Sequence, residues 1–208
     1  MIKALFLIFE PGVAWERVAQ ARRSMGFILA WYLLRMMLVV ALVEGFGLVK
    51  WGKLQTGTGR VAVFTRGEAA IFEVLQMGLM FLTIVVCAHL IKSLGDTFRG
   101  QHNYTQTFTV VVYGLSPLFL FRLLDALPHV NPWLTWGLGM MVSIMILYHG
   151  IPLVMQPDPP HAFGLYLMSC LLLVMATGLE RFLTAWYLSG HFTPVENLIN
   201  TAAAHLRF

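Results

Sequence analysis

Long apolar stretches alternate with short polar segments along the whole chain. A helix that crosses a hydrocarbon core of about 30 Å needs about 20 predominantly apolar residues. Five stretches reach that length, and the segments between them leave no room for a separate folded domain. These predicted spans run from Met25 to Val49, Ala69 to Ile91, Thr105 to Leu127, Trp133 to Met155 and Ala162 to Leu188. The pattern predicts an all-α polytopic membrane protein with five transmembrane helices.

Amphipathic segments flank the five spans. Pro11 suits the first turn of a helix, and the apolar positions that follow carry Trp15 at their edge. Beyond the last span, Thr193 to Glu196 has the spacing of a capping box. We therefore predict an interfacial amphipathic helix over residues 1–24, a transmembrane domain over 25–188 and a second interfacial helix over 189–208. The first helix has a basic rim of Arg17, Arg22 and Arg23.

The composition agrees with a membrane protein. Hydrophobic residues make up 58% of the chain and charged residues 12%, whereas a soluble domain has roughly 25% charged residues. The net charge of +4 is spread over loops and spans, which favours anionic lipid headgroups as the counter-charge and disfavours nucleic acid. Cys87 and Cys170 both lie in apolar runs, so they indicate neither a disulfide framework nor a metal cluster. We expect membrane lipids among the partners.

The excess of Lys and Arg in cytoplasmic segments normally sets the orientation of a membrane protein. With the N-terminus inside, the inner side carries six such residues and the outer side five. The longest connection contains a turn-prone stretch, Gln55 to Gly59, and does not change this balance. Charge alone therefore leaves the orientation open.

Several polar residues lie within the predicted spans. In the second span, Glu73 and Gln76 begin a series at steps of three and four, which places the series on one helical face directed into the bundle. Because neighbouring helices alternate in direction, the intramembrane charges fall at one depth, with Glu44 at the same level. A charge at the bilayer centre costs about 2.5–3.5 kcal/mol, so we expect opposite charges to pair there. The predicted polar cluster consists of Glu73, Arg122, Asp125, Glu180 and Arg181.

Two interpretations of this cluster remain open. It is either a relay for protons or ions, or a set of structural ion pairs and side chains that extend to the headgroups. We expect Arg122 to pair with Glu73 or Glu180.

Arg35 lies near the middle of the first span, nine residues before Glu44 and therefore on the opposite face of the helix. Trp31 and Tyr32 are one turn earlier and can stack on its guanidinium, and His149 of the fourth span should reach a similar depth. We predict a buried contact formed by Arg35 and His149. It either holds an anionic ligand or lipid headgroup, or it contacts backbone carbonyls or a partner subunit.

Two spans carry residues that interrupt helices. Gly114 and Pro117 lie in the third span, and Gly150 and Pro152 lie in the fourth. Each proline removes a helix hydrogen bond. These sites are either broken helices that expose carbonyls to a substrate, as in transporters, or ordinary kinks repaired by neighbouring helices.

The usual catalytic motifs do not occur in this sequence. It has no His-Glu-x-x-His, Gly-x-Ser-x-Gly, phosphate-loop or nucleotide-binding glycine motif. Haem ligation by His89 and His149 is geometrically conceivable, but a lone membrane histidine is more often a packing residue. We therefore expect a protein that is not an enzyme and that binds no cofactor or metal.

Three stretches resemble the Ypt/Rab-interacting (Yip) domain membrane proteins, in the short form found in bacteria. The stretch from Phe9 to Arg17 is similar to the proline and tryptophan segment that precedes the first span of bacterial members. Gly100 to Pro117, with Tyr113-Gly114-Leu115-Ser116-Pro117 at its end, resembles the third span of the family, and Ile144 to Gly150 resembles the fourth.

This resemblance implies a five-helix Yip-like bundle with a cytoplasmic N-terminus and a C-terminus on the opposite side. The membrane would be the bacterial cytoplasmic (inner) membrane. The favoured hypothesis is a non-enzymatic scaffold or accessory subunit that binds another membrane protein, a second copy of itself or lipid. The alternative is a small solute or ion transporter or channel that uses the polar cluster.

Overall fold

The computed structural model of the chain describes residues 2–55, 60–100 and 102–188. The predicted C-terminal interfacial helix, residues 189–208, lies outside them. Five helices in the described part are long and apolar enough to cross a membrane. These spans, numbered first to fifth, are Met25–Lys50, Arg66–Thr97, Tyr104–Ala126, Pro132–Met155 and Pro159–Leu188. The prediction of an all-α membrane protein with five spans is confirmed.

Two short helices precede the spans, and three of the spans contain a change of helix type. The α-helices are α1 Ile2–Phe9, α2 Pro11–Gln20, α3 Met25–Ile28, α4 Leu34–Lys50, α5 Arg66–Thr97, α6 Tyr104–Gly114, α7 Ser116–Arg122, α8 Pro132–Met155 and α9 Ala162–Leu188. A π-helical turn, Leu29–Leu33, joins α3 to α4. Two 3₁₀ turns, Leu123–Ala126 and Pro159–His161, follow α7 and precede α9.

Side-chain caps mark the start of four spans. The Ser24 hydroxyl accepts the backbone N–H of Phe27, and the Asn131 side chain accepts that of Trp133. The second and third spans begin with complete capping boxes, at Thr65 and Asn103. Such caps satisfy backbone donors that a helix cannot pair internally.

The third span is the central helix of the bundle. Its most apolar window is 78% buried, whereas the corresponding windows of the other four spans are 28–50% buried. Phe108, Tyr113 and Phe119 of this span are among the largest fully buried side chains. It packs between α5 and α8, and α9 packs on both of these helices.

A short β-hairpin closes one end of the bundle. Strands β1 (Lys53–Gln55) and β2 (Arg60–Ala62) are antiparallel, with Leu54 opposite Val61. Gly52 leads into β1 with a φ of 71°, a conformation that glycine adopts without strain. The sequence predicted a turn-prone stretch here but no strands. We call this end of the bundle the hairpin end and the opposite one, which carries α1 and α2, the N-terminal end.

Helix α2 packs against α8, and Trp15 anchors it there. The Trp15 ring is completely buried, and its Nε1 donates a hydrogen bond of 2.8 Å to the Ile146 carbonyl. The ring lies on Gly150, where any Cβ would overlap it. The edge position predicted for Trp15 is therefore wrong, because a tight contact with the fourth span outweighs an interfacial position for the ring.

Candidate functional site

Four spans and the β-hairpin bring charged side chains together near the hairpin end. Close backbone packing makes this possible, since a Cβ on Gly47 would overlap the backbone of Ala126. The 3₁₀ turn Leu123–Ala126 therefore lies directly against α4. This contact brings Arg122 beside Glu44.

Arg122 lies at the centre of the cluster and pairs with two carboxylates. Its Nη1 donates to Glu180 Oε1 at 3.0 Å, and its Nε donates to Glu44 Oε2 at 3.4 Å. The same Glu44 oxygen accepts the Gln76 amide at 2.7 Å. Nη1 of Arg122 also lies 3.3 Å from the Met80 sulfur. All of these side chains are buried, so the cluster holds its charges away from lipid.

Arg181 forms a second pair, with Asp125. Its Nη2 donates to Asp125 Oδ2 and, at 3.0 Å, to the Thr135 hydroxyl. Its Nε donates to the Pro132 carbonyl at 2.9 Å. The Thr135 hydroxyl in turn donates to Asp125 Oδ1 at 2.7 Å. These bonds connect the third, fourth and fifth spans.

Lys53 covers the cluster from the hairpin. Its Nζ donates to the carbonyls of Asp125 at 2.7 Å and Leu127 at 3.1 Å. Burial disfavours the charged ammonium and lowers the pKa of Lys53 below its ordinary value, while the Asp125 carboxylate opposes that shift. The hairpin is thereby tied to the end of the third span.

Glu73 is the exception within the cluster. Both of its carboxylate oxygens are buried and have no hydrogen-bond partner among the described residues. Of the two partners predicted for Arg122, the structure therefore selects Glu180. Counted with Glu44, Glu73, Asp125 and Glu180, the cluster contains four carboxyl groups but only three cationic side chains, those of Lys53, Arg122 and Arg181.

The space around the paired charges is small. Two cavities that border Arg122 have volumes of about 10 Å³ each, close to the minimum of roughly 10–15 Å³ that one water molecule needs. Within the described part of the chain, no group of three or more His, Cys, Asp or Glu side chains could hold a metal ion. The arrangement can hold helices together.

Arg35 and His149 do not form the predicted buried contact. Both side chains are exposed on the outer surface of the bundle. The Arg35 guanidinium stacks on the ring of Trp31, 3.8 Å from its centroid, as the spacing predicted. Tyr32 instead points inward and shares a hydrogen bond of 2.6 Å with Ser116. The prediction of burial is wrong because Leu33, Met36 and Met37 form the inward face of this helix, and Arg35 lies with Trp31 and Leu38 on the outward face.

The helix interruptions are sites of tight packing. A Cβ on Gly114 would overlap Leu147, and the third span restarts at Ser116 with Pro117 in its first turn. In the fourth span, α8 continues through Pro152, and Gly150 receives the Trp15 ring. All four interruption sites except Pro152 are buried. Side chains of neighbouring helices therefore fill the space at Gly114 and Gly150.

Arg17, Arg22 and Arg23 line a large cavity at the N-terminal end. Its volume is about 820 Å³. Its wall is formed by α1, α2, the α2–α3 connection and the ends of the first, third and fourth spans. The predicted basic rim therefore faces a defined cavity.

Sequence reasoning missed Lys53 and Thr135 as members of the cluster. Thr135 lies a few residues into the fourth span, at the level of Asp125, so alternation of helix direction was a usable signal. Lys53 gave none, because its side chain reaches the cluster only after the hairpin folds back over the bundle.

Comparison of the sequence with known protein families agrees with this architecture. The Yip1 domain matches residues 5–179, which include α2 and most of all five spans. No curated protein and no solved structure gave a significant match. Since the domain covers most of the chain and the structure has the five spans that the resemblance implied, the chain belongs to the Yip1 domain family.

Proposed function

We propose that this protein is a non-enzymatic integral membrane scaffold or accessory subunit that binds another membrane protein or lipid. The observation that carries the protein-binding part is the position of Arg35. It is the eleventh residue of the first span, about 15 Å along the helix from Met25 at about 1.5 Å per residue. An arginine near mid-span normally faces the bundle interior, whereas Arg35 faces outward.

The environment of Arg35 supports a partner rather than internal pairing. No carboxylate among the described residues lies within ion-pair distance of its guanidinium. Among the described residues, its guanidinium stacks on the exposed ring of Trp31, which in turn stacks on Phe27 with centroids 6.4 Å apart. A cation and two aromatic rings on one outer face suit a partner helix that presents a carboxylate. A charge left in lipid costs about 2.5–3.5 kcal/mol, which such a partner offsets.

The transporter or channel alternative has less support. Arg122 and Arg181 are bonded to carboxylates within the bundle, and the two cavities beside Arg122, of about 10 Å³ each, have room for at most about one water molecule. The interruptions of the third and fourth spans are filled by Leu147 and Trp15. These contacts favour a structural role for the cluster.

The experiment is purification of the tagged protein from its native membrane in a gentle detergent. The particle mass is measured, and every co-purifying chain is identified by mass spectrometry. We expect a partner in fixed ratio that Arg35→Gln loses and Arg99→Gln retains, since Arg99 is exposed but lies at a helix end. A monomer with no co-purifying chain, and a solute flux in proteoliposomes that Arg122→Gln abolishes, would favour the transporter.

We further propose the bacterial cytoplasmic (inner) membrane as the location, with the N-terminal end of the bundle in the cytoplasm. The family resemblance supports this orientation. Single cysteines at exposed Ser24 and Val63 test it. Ser24 precedes the first span at the N-terminal end of the bundle, and Val63 precedes the second span at the hairpin end. An impermeant maleimide applied to intact cells should label Val63→Cys only. Labelling of Ser24→Cys would instead place the N-terminal end of the bundle outside the cell.

A further inference from the structure

The cavity at the N-terminal end combines three cations with no opposing charge. Arg17, Arg22 and Arg23 line it, and none of the lining residues is Asp or Glu. Within the described chain, no carboxylate forms an ion pair with any of the three guanidinium groups. Its volume of about 820 Å³ is in the range of about 300–1,000 Å³ typical of ligand sites.

Neutral hydrogen-bond donors also line the cavity. Asn103 and Gln106 begin α6, and their side-chain oxygens accept each other's backbone N–H groups at 2.9 and 2.8 Å. That capping box leaves both side-chain NH₂ groups available as donors. Thr105 also lines the cavity. Guanidinium and amide donors together match the oxygens of a phosphate group.

The rest of the wall is apolar. Leu7 and Phe6 of α1, Ile28 of the first span and Val154 of the fourth line the cavity. The same cavity reaches Tyr113, nine residues into the third span, about 13 Å along the helix at about 1.5 Å per residue. A ligand that fills it therefore has an anionic end and an apolar part.

We propose that this cavity binds the phosphate group of an anionic amphiphile, with Arg17, Arg22 and Arg23 as its cationic ligands. Bidentate guanidinium contacts are well suited to phosphate oxygens. The inference deepens the lipid-binding part of the proposed function, and it is independent of Arg35 and of a protein partner.

Native mass spectrometry of the purified full chain tests the proposal. The probes are phosphatidylglycerol, phosphatidylcholine and inorganic phosphate, titrated in detergent. The test variants are the triple variant R17Q/R22Q/R23Q and Ala21→Trp, which places an indole in the cavity from an exposed position. The control is K92Q/R99Q, which removes positive charge at the same end of the bundle outside the cavity.

We expect the wild type and the control to bind one phosphatidylglycerol more tightly than phosphatidylcholine. Loss of the three guanidinium groups should weaken this binding by at least about tenfold, since each charge-assisted hydrogen bond contributes strongly. Ala21→Trp should weaken it too. If inorganic phosphate binds instead, and the two test variants lose it, the recognised group is still phosphate and its source is a soluble ligand.

Equal binding of phosphatidylglycerol and of phosphate by the wild type, the triple variant and Ala21→Trp would overturn the proposal. Ala21→Trp keeps the arginines, so a folding defect of the triple variant does not decide the result. Partner co-purification is measured on the same variants. Loss of lipid with an intact partner complex concerns this cavity, whereas loss of the complex in Arg35→Gln concerns the proposed function.

Discussion

Removal of Arg122 is the sharpest test of how the intramembrane cluster stabilises the bundle. Arg122 is 5% exposed and bonds to Glu180 at 3.0 Å and to Glu44 at 3.4 Å. Arg122→Gln leaves both carboxylates buried without their main counter-charge. Breaking a buried pair from one side costs about 3–5 kcal/mol. We expect a loss in the free energy of unfolding in that range.

Glu180→Gln should cost much less. The glutamine carbonyl can still accept the Nη1 bond of Arg122, and Glu44 remains as a charged partner. The change replaces a charge-assisted bond by a neutral one, a difference of about 1–1.5 kcal/mol. Arg122→Gln and Glu180→Gln break the same ion pair but differ about threefold in predicted cost.

The assay is unfolding in mixed micelles of mild and denaturing detergent, with circular dichroism as the readout of helix content. Arg35→Gln is the matched control, because it removes an arginine of the same charge that has no ion pair among the described residues. A second-site change, Glu44→Gln in the Arg122→Gln background, should recover part of the stability by removing one unpaired carboxylate. The reasoning fails if Arg122→Gln is as stable as Arg35→Gln.

Three further predictions concern the rest of the bundle. Glu73→Gln should leave the unfolding free energy unchanged or raise it in the same assay, because Glu73 has no hydrogen-bond partner to lose among the described residues. Trp15→Phe removes the 2.8 Å bond to the Ile146 carbonyl and should lower the unfolding free energy by about 1–3 kcal/mol in that assay. The pKa of Lys53 is lowered from 10.5, so the unfolded state binds more protons just below that pH. The stability of wild type relative to Lys53→Met, measured by unfolding at several pH values, should therefore rise with pH up to about 10.5.

The local pattern of the chain was sufficient for the number and helical type of the spans, whereas the second span, Arg66–Thr97, extends beyond the predicted Ala69 to Ile91 at both ends. Each depends on a run of apolar residues long enough to cross lipid, and lipid requires such a run to be helical because backbone groups find no other partners. The common depth of Arg122, Asp125 and Glu180 was equally predictable. It follows from residue counting along helices of alternating direction.

The pairing within the cluster was decided by tertiary packing. The sequence left Glu73 and Glu180 as candidates for Arg122. The packed bundle brings Glu180 Oε1 to 3.0 Å from Arg122 Nη1. Helical periodicity states which residues share a face. It does not state how far each helix is rotated towards its neighbours, and a small rotation decides which of two carboxylates at one depth meets the guanidinium.

The same limit applies to the residues that sequence reasoning misplaced. Contacts between distant segments set the position of each. Trp15 packs against the fourth span, Arg35 lies on the outer surface of the bundle, and Lys53 lies over the cluster. The sequence by itself determined a five-span helical membrane protein with a charged layer near one end. Only the tertiary structure decided which charges pair, which face outward and where a cavity opens, because those depend on the relative rotation and close approach of helices far apart in the chain.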